Sequence, residues 1–536
     1  MATPRKSFYR PAAWIALACL VVPMFASYYF DDMFSSISYL FDGVSLTQLG
    51  WDAAGYGLYA SGYSVLCVFG GLVVGGILLD KWGVRISGSV FVGMMVLGAG
   101  IVTWALLSGA SWSLQAAYVG VMLFGLGSEI AGTAVTRSIA RWFKGGPMAL
   151  AMGLQLAIAR LGTAFALILS PALVKQQAGH LYTLAETARP ALVGMGLMAL
   201  GLILWALFVW LDAKAAVAED VLPSSNKKAD SSGNTSSAIP SPDPGIPSPS
   251  SVIPSEVEES LQAPGIPSSA PVIPSPSSVI PSEVEESPSA QEEAFRFRDV
   301  LGVLGNRNFW LIGLLCVLFY SSIIAFKKFA GAILIPRFDI PASAAGWMVS
   351  MLPFSTVIFA PLFGMLVDKA GRGTRWMVLG ACLALVAHLL LAFAPAGVPF
   401  WGYLAMVFLG FGYSLVPAAL WPSVPKIVPD KVLGTTFALI YWVQNLGLLS
   451  FKWLSGVILA HHTPTTPVAA AEVAGNSAGE VVASNGAVTA ADAGISGPVA
   501  VELMFVGLCV AAVLVALALR RTATRHPELR LDAPNS

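Results

Sequence analysis

Charge is scarce in this sequence: 30 basic and 30 acidic side chains among 536 residues, 11% in all, are too few to cover a soluble globule of this length. Cysteine is scarcer, and all five (Cys19, Cys67, Cys316, Cys382 and Cys509) fall inside apolar runs. That placement reads as small buried hydrophobes rather than disulfides or thiolate metal ligands. No span or loop carries a nucleophile with a base beside it or a spaced set of metal ligands, so neither an enzyme nor a metal or other cofactor is expected. The formal net charge of zero says nothing about partners, and no nucleic acid is expected among them. What fills the chain instead is apolar: 56% of residues are hydrophobic, and the mean hydropathy is +0.73. These figures describe an integral membrane protein. Its apolar stretches recur along almost the whole chain, so the first is read as a retained span and not as a cleaved secretory signal.

About 20 apolar residues cross the hydrocarbon as a helix, and twelve segments are long enough. Six run approximately 11–30, 53–79, 86–108, 115–139, 147–174 and 190–211; six more run approximately 308–335, 344–367, 375–396, 399–423, 433–460 and 498–519. The fold class this predicts is an all-α membrane protein with twelve transmembrane helices in two six-helix repeats. Charge orients it: Arg5, Lys6 and Arg10, then Lys81 and Arg85, Arg137, Arg141 and Lys144, Lys369, Arg372 and Arg375, Lys426 and Lys431, and Arg520, Arg521 and Arg525 all fall on one side. By the positive-inside rule that side, with both termini, is cytoplasmic. The opposite connections hold Asp31, Asp32, Asp42 and Asp52 and few bases apart from Lys175, Arg189 and Arg337.

The domain layout follows. Residues 1–211 form an N-terminal six-helix bundle, and 300–520 a C-terminal one with an outer-side insertion at 461–497 read as a flexible loop. A cytoplasmic tail occupies 521–536. Between the bundles, 212–299 is rich in Ser, Pro and Glu and holds "SSVIPSEVEES" twice, at 250–260 and 277–287. Such a composition cannot bury a core, so the segment reads as a disordered cytoplasmic linker and its duplicated unit as a spacer, with a docking tail as the alternative.

The second and third spans are joined by "GGILLDKWGVR" and the eighth and ninth by "FGMLVDKAGRGTR". Both fit Gly, three residues, Asp, Lys, one residue, Gly, then a base within two positions. The matched residues are Gly76, Asp80, Lys81, Gly83 and Arg85 in one copy and Gly364, Asp368, Lys369 and Gly371 in the other. Two copies in register mark an internal repeat. Gly76 and Gly364 are expected to admit a neighbouring helix, and each aspartate to accept from helix N-terminal amides and pair with a base, latching two helices together.

Ionisable groups inside spans are costly and are functional candidates by default. Glu129 lies about 14 residues into the fourth segment among Gly125, Gly127 and Gly132, and Arg160 lies about 13 residues into the fifth. At a rise of about 1.5 Å per residue both fall deep in the membrane, where an antiparallel pair of helices would bring them within reach of each other. Further candidates are Lys327 and Lys328 in the seventh segment and Lys452 in the eleventh, all read alternatively as snorkelling. His388 is read as packed, and Tyr59, Tyr63 and Tyr320 as hydroxyl donors or packing. "ALWPSVPKIVP" predicts a broken end of the tenth helix near Trp421 and Pro422, and Gln444 and Asn445 are expected to bond across helices.

Two six-helix repeats, a long central linker and the paired Gly-x-x-x-Asp-Lys-x-Gly loops resemble the major facilitator superfamily over all twelve spans. "ARWFKG", "GLQLAIARLGT", "FGMLVDKAGRGTRW", "VAHLLLAF", "LGFGYSLVPAALWPSVPKIVP" and "LGTTFALIYWVQNLGL" are similar to its lysosomal dipeptide uniporter branch and that branch's bacterial relatives. The resemblance implies a secondary transporter of a small zwitterion, a dipeptide first, by alternating access without proton coupling. It puts that branch's intramembrane acid on Glu129 and its fifth-helix arginine on Arg160. Tyr59, Tyr63, Lys328 and Trp421 complete the expected substrate site, and the two Asp80 and Asp368 loops the gate. Open alternatives are a proton-coupled organic-anion, amino-acid or sugar carrier and, from another class, a receptor or scaffold that uses the acidic linker. Beyond the substrate and the lipid bilayer no partner is specified; an accessory subunit is left open and a monomer is compatible. The tails and linker lack an acidic dileucine or tyrosine sorting signal. The cell (inner) membrane is therefore favoured, with the lysosomal membrane as the alternative.

Overall fold

The computed structural model describes residues 5–42, 44–144, 147–175, 180, 182–221, 302–428, 432–462 and 496–533. The linker repeat and nearly all of the outer-side insertion lie outside the described residues. Within them the chain is helical. Eleven stretches are long and apolar enough to cross a membrane, and one of these, Ala53–Ser108, is 56 residues, enough for two passages. Twelve long helices result among the described residues, besides short turns: α1 Arg5–Asp32; α2, in two pieces, Ala53–Leu66 and Leu72–Gly83; α3 Ser89–Ser108; α4 Ser113–Trp142; α5 Met148–Val174; α6 Arg189–Val221; α7, in two pieces, Arg307–Lys328 and Ala330–Phe338; α8 Ala342–Ala370; α9 Gly373–Phe393; α10 Pro399–Leu420; α11 Leu433–His462; and α12 Gly497–Arg525.

Local chemistry explains the breaks. The pieces of α2 are joined by a widened turn, Cys67–Gly71, in which Gly70 takes φ +92, a conformation L side chains avoid. At the end of α10 the prolines of "WPSVPK" deny amide donors, and the helix tightens into a 3-10 turn over Trp421–Lys426, as the sequence predicts. The repeat is visible in the backbone itself: Gly83 and Gly371, 288 positions apart like Asp80 and Asp368, both take positive φ, +74 and +60.

The halves meet where α2 packs on α11 and α5 on α8. Exchanging the halves, so that α2 becomes α8 and α11 becomes α5, turns one contact into the other, as a two-fold repeat requires. Both contacts are tightest at the ends away from the Asp80 and Asp368 loops, here called the far side; the loop side is called the basic side. A Cβ added to Gly57 of α2 would lie 2.9 Å from Gly456 Cα of α11, one on Gly456 would overlap Ala53 O, and one on Gly346 of α8 would overlap Leu167 O of α5. Backbone touches backbone across the halves. After α1 the 3-10 segment Ser35–Asp42 lies against the second piece of α7, where Ser38 Oγ accepts from Ala332 N–H at 3.0 Å.

Past a last hydrogen bond, from Trp442 Nε1 of α11 to Val68 O of α2 at 2.7 Å, the same helices part toward the basic side. Phe69 and Ile77 on α2, Leu154 on α5, Ile358 and Leu362 on α8 and Tyr441 on α11 are all exposed. Gly76 and Gly364, expected to admit a neighbouring helix, face nothing within 4 Å of an added Cβ. That expectation fails in this state because the basic side is open and no helix stands against either glycine.

Candidate functional site

Mid-depth on α4, Glu129 accepts from Tyr63 Oη of α2 at 3.0 Å, while the same hydroxyl lies 3.3 Å from Ser128 Oγ. On α5, Arg160 donates from Nη1 to Tyr413 Oη of α10 at 3.0 Å, and its guanidinium stands 5.3 Å from the Tyr413 ring centroid and 5.6 Å from that of Tyr28 on α1. Arg160 is thus held by a tyrosine from each half. Tyr28 is within electrostatic range of both Arg160 and Glu129, and the space that these three residues flank is called the chamber below. They do not pair with each other. Helix depth, read from sequence, fixes height but not rotation, and the side chains leave their helices toward different neighbours.

Around Arg160 the aromatics form a chain. The Tyr413 and Tyr320 rings meet edge to face at 6.1 Å, Trp421 Nε1 donates to Tyr320 Oη at 3.2 Å, and Trp421 stacks on Tyr441 at 5.0 Å. Trp421 therefore reaches Arg160 only through Tyr320 and Tyr413. On the other wall Tyr59 is buried between Phe34 and Trp51. Two small recesses open from the chamber, one lined by Arg160, Thr163, Lys327 and Tyr413, the other by Asp31, Tyr59, Phe124 and Lys328.

On the far side of the chamber the two halves are joined by charge. Asp32, 1% exposed at the end of α1, takes Lys327 at 2.7 Å, Lys328 at 3.0 Å and the Thr163 hydroxyl at 2.8 Å. Asp31 takes Lys328 at 2.8 Å, and Tyr56 Oη donates to Lys328 O at 3.0 Å. Lys327 and Lys328 do not snorkel; they are pinned 295 residues away from their partners. Asp31 and Asp32 read from sequence as loop acids, and the missed signal is complementary: an Asp-Asp pair near the end of the first helix of one repeat, a Lys-Lys pair near the end of the first helix of the other.

The basic-side loops carry a separate set of pairs. Asp80 pairs with a base, Arg137 of α4, both well exposed; the helix amides also expected to bond it do not do so among the described residues. Arg85 donates to Asp212 at 2.6 Å, Trp142 Nε1 to the same carboxylate at 2.9 Å, and Arg141 pairs with it too. Asp212, 2% exposed near the end of α6, thereby ties two loops of the first half together. In the second half the tail after α12 does the same work: Asp532 accepts from the Arg372 and Thr374 amides, each at 2.8 Å, and Ala533 O accepts from Lys426 Nζ at 3.0 Å. Lys81 and Lys369 are exposed beside these loops.

Four secondary candidates resolve differently. His388 Nδ1 lies 2.8 Å from Glu502 Oε2, both fully buried between α9 and α12 and outside the chamber. Gln444 bonds across helices, accepting from Cys316 Sγ at 3.4 Å, whereas Asn445 donates to Tyr441 O on its own helix. Lys452, also expected to snorkel, is 2% exposed and stands 5.3 Å from the face of Tyr63.

Two six-helix halves around a charged mid-membrane chamber, sealed at one end and parted at the other, are the architecture of a membrane transporter. Residues 18–451 match the Major Facilitator Superfamily, and the chain belongs to it. Transport, not catalysis, is the work of that family. The Lysosomal dipeptide transporter MFSD1 of Danio rerio is 27% identical over 412 residues, covering 75% of this chain and 71% of the relative. The protein of the same name from Homo sapiens is 26% identical over 416 residues, 75% and 70%. Among solved structures, the inward open xylose transporter XylE from E. coli aligns with a TM-score of 0.59 at 11% identity, covering 95% of this chain and 96% of that one. The nucleoside transporter NupG aligns at 0.57 and 13%, covering 94% and 99%. These last two likenesses establish the fold alone.

Proposed function

We propose that this transporter moves small zwitterions, dipeptides first, by facilitated uniport. One observation carries the reading: Glu129 and Arg160 face one chamber, and neither has a salt-bridge partner among the described residues. A charge removed from water costs several kcal/mol unless it is paired, so an acid and a base kept apart await a ligand that brings both opposite charges. A dipeptide brings one ammonium and one carboxylate at a fixed separation. The ammonium goes to Glu129 beside Tyr63; the carboxylate goes to Arg160, whose planar fork grips carboxylates in two-pronged fashion. The dipeptide carriage printed for the relatives agrees with this reading.

In this reading the basic side is the cytoplasm, with both termini, and the membrane is a cell membrane. Residues 212–299 serve as a linker between the halves. Substrate shifts the two-state equilibrium only by binding one state better than the other. Closing the far side requires Asp31 and Asp32 on Lys327 and Lys328; opening it requires parting them. Closing the basic side brings neighbours against Gly76 and Gly364 and engages the Asp80 and Asp368 loops.

The test is uptake of a broad dipeptide panel by the reconstituted protein, with and without a pH gradient. Uptake down the dipeptide gradient, indifferent to the pH gradient, is expected. No uptake of any member by folded protein would overturn the substrate, and a strict need for the gradient would overturn the uniport.

A further inference from the structure

Among the described residues, seven ionisable side chains lie buried or half-buried in and around the chamber: the acids Asp31, Asp32 and Glu129, and the bases Arg160, Lys327, Lys328 and Lys452. Asp31 and Asp32 are matched by Lys327 and Lys328. A dipeptide's termini would match Glu129 and Arg160. One base, Lys452, is then left over.

Nothing in its surroundings neutralises it. Lys452 sits ten residues before the end of α11, about 15 Å along the helix, too deep for its ammonium to reach the surface. Asp31 and Glu129 are within electrostatic range, yet no carboxylate lies within 4 Å of its Nζ and no hydrogen bond is made to it among the described residues. Lys327 and Lys328 add repulsion. The Tyr63 face at 5.3 Å offers a cation–π contact, which is weaker than the cost of leaving a buried ammonium unpaired. The other buried acid, Glu502, is paired with His388 at 2.8 Å. The Tyr63 hydroxyl binds Glu129, so Lys452 stands on the same ring that holds the proposed ammonium site.

We propose that Lys452 is a side-chain subsite of this chamber, and that the transporter favours dipeptides carrying one acidic side chain. This rests on the dipeptide reading above. With a neutral dipeptide bound, the chamber retains one uncompensated positive charge; with an acidic one the sum is zero; with a basic one it is two. Lys452 engages the extra carboxylate, and the preference is set by charge rather than by size.

The closest isosteric probes are alanyl-glutamate and alanyl-glutamine, with alanyl-lysine as the repelled case. Initial uptake of each is measured in liposomes holding the full-length protein, for the wild type, Lys452→Gln and Lys452→Arg. The wild type should favour alanyl-glutamate over alanyl-glutamine by roughly tenfold in kcat/KM, the equivalent of about 1.4 kcal/mol. Lys452→Arg should keep that ratio and Lys452→Gln should bring it near one; the ratio is the readout, not the rate. Equal uptake of the two probes by the wild type overturns the inference and leaves the dipeptide reading standing, and so does an undiminished ratio in Lys452→Gln. Uptake of neither probe by folded wild type overturns the dipeptide reading itself. If Lys452→Gln does not fold, the wild-type ratio decides alone.

Discussion

Glu129 and Arg160 sit at mid-depth on successive helices and face one chamber, yet each is held by a tyrosine and not by the other: Tyr63 for the acid, Tyr413 for the base. Had they paired, the chamber would carry a self-neutralised brace. Kept apart, they make a negative pole and a positive pole. Tyr63 and Tyr413 orient the two charged groups without cancelling either charge, which on the proposed function leaves both for the ligand's opposite charges.

Replacing either pole should therefore abolish transport without unfolding the protein. Glu129→Gln keeps shape and the tyrosine hydrogen bond but removes the charge; Arg160→Lys keeps charge but removes the fork. Each is expected to lower dipeptide kcat/KM by a hundredfold or more, corresponding to about 3 kcal/mol. Thermal unfolding in detergent should move little. A large loss of stability with retained activity in the folded fraction would mark the residues as structural.

Asp32 anchors the far-side lock through two lysines and Thr163. Asp32→Asn leaves Lys327 without a charged partner in a buried setting, a cost of about 3–5 kcal/mol to the far-closed state. In a background without the five native cysteines, a single cysteine at buried Ser38 should react with a membrane-impermeant thiol reagent faster when Asp32→Asn is present. Unchanged labelling would remove the lock from the gating scheme.

The glycine seal gives a sharper steric test. Gly57→Leu or Gly456→Leu forbids the backbone contact between α2 and α11, because a Cβ at Gly456 already overlaps Ala53 O. Far-side closure and transport should be lost together. Gly93→Leu on α3, with nothing within 4 Å of its Cβ, should leave both intact.

Gly76 and Gly364 predict the opposite dependence on state. Leucine at either position meets open space in the far-closed form, so stability should hold. Basic-side closure should be hindered, lowering turnover with little change in which substrates are carried. Asp80→Asn should likewise slow turnover; undiminished turnover would dismiss a gating role for that loop.

Asp212 is a structural prediction of its own. Its carboxylate, 2% exposed, holds Arg85, Arg141 and the Trp142 indole. Asp212→Ala strands three donors and should cost about 3 kcal/mol, read as a lowered unfolding temperature in detergent with the dipeptide preference unchanged.

Much of this was legible in the sequence because the bilayer imposes simple rules. Apolar run length yields the twelve helices, and the 288-residue offset between Asp80 and Asp368 reappears as matched positive φ at Gly83 and Gly371. Depth along a helix picked out Glu129 and Arg160. Rotation and long-range pairing were not legible. Nothing local to "AFKKF" says that its lysines meet Asp31 and Asp32, and nothing local to "LGFGYSL" says that Tyr413 reaches Arg160 in the other half. State was not legible either: Gly76 and Gly364 read as packing glycines, and they stand open here because the basic side is parted.

The two-pole account is tested most directly by blocking one pole of the ligand at a time. Uptake by reconstituted protein is measured for alanyl-alanine, its N-acetyl form, which lacks the ammonium, and its C-terminal amide, which lacks the carboxylate. Transport of the free dipeptide and a loss of at least tenfold for each capped form are expected. Equal transport of all three would contradict it.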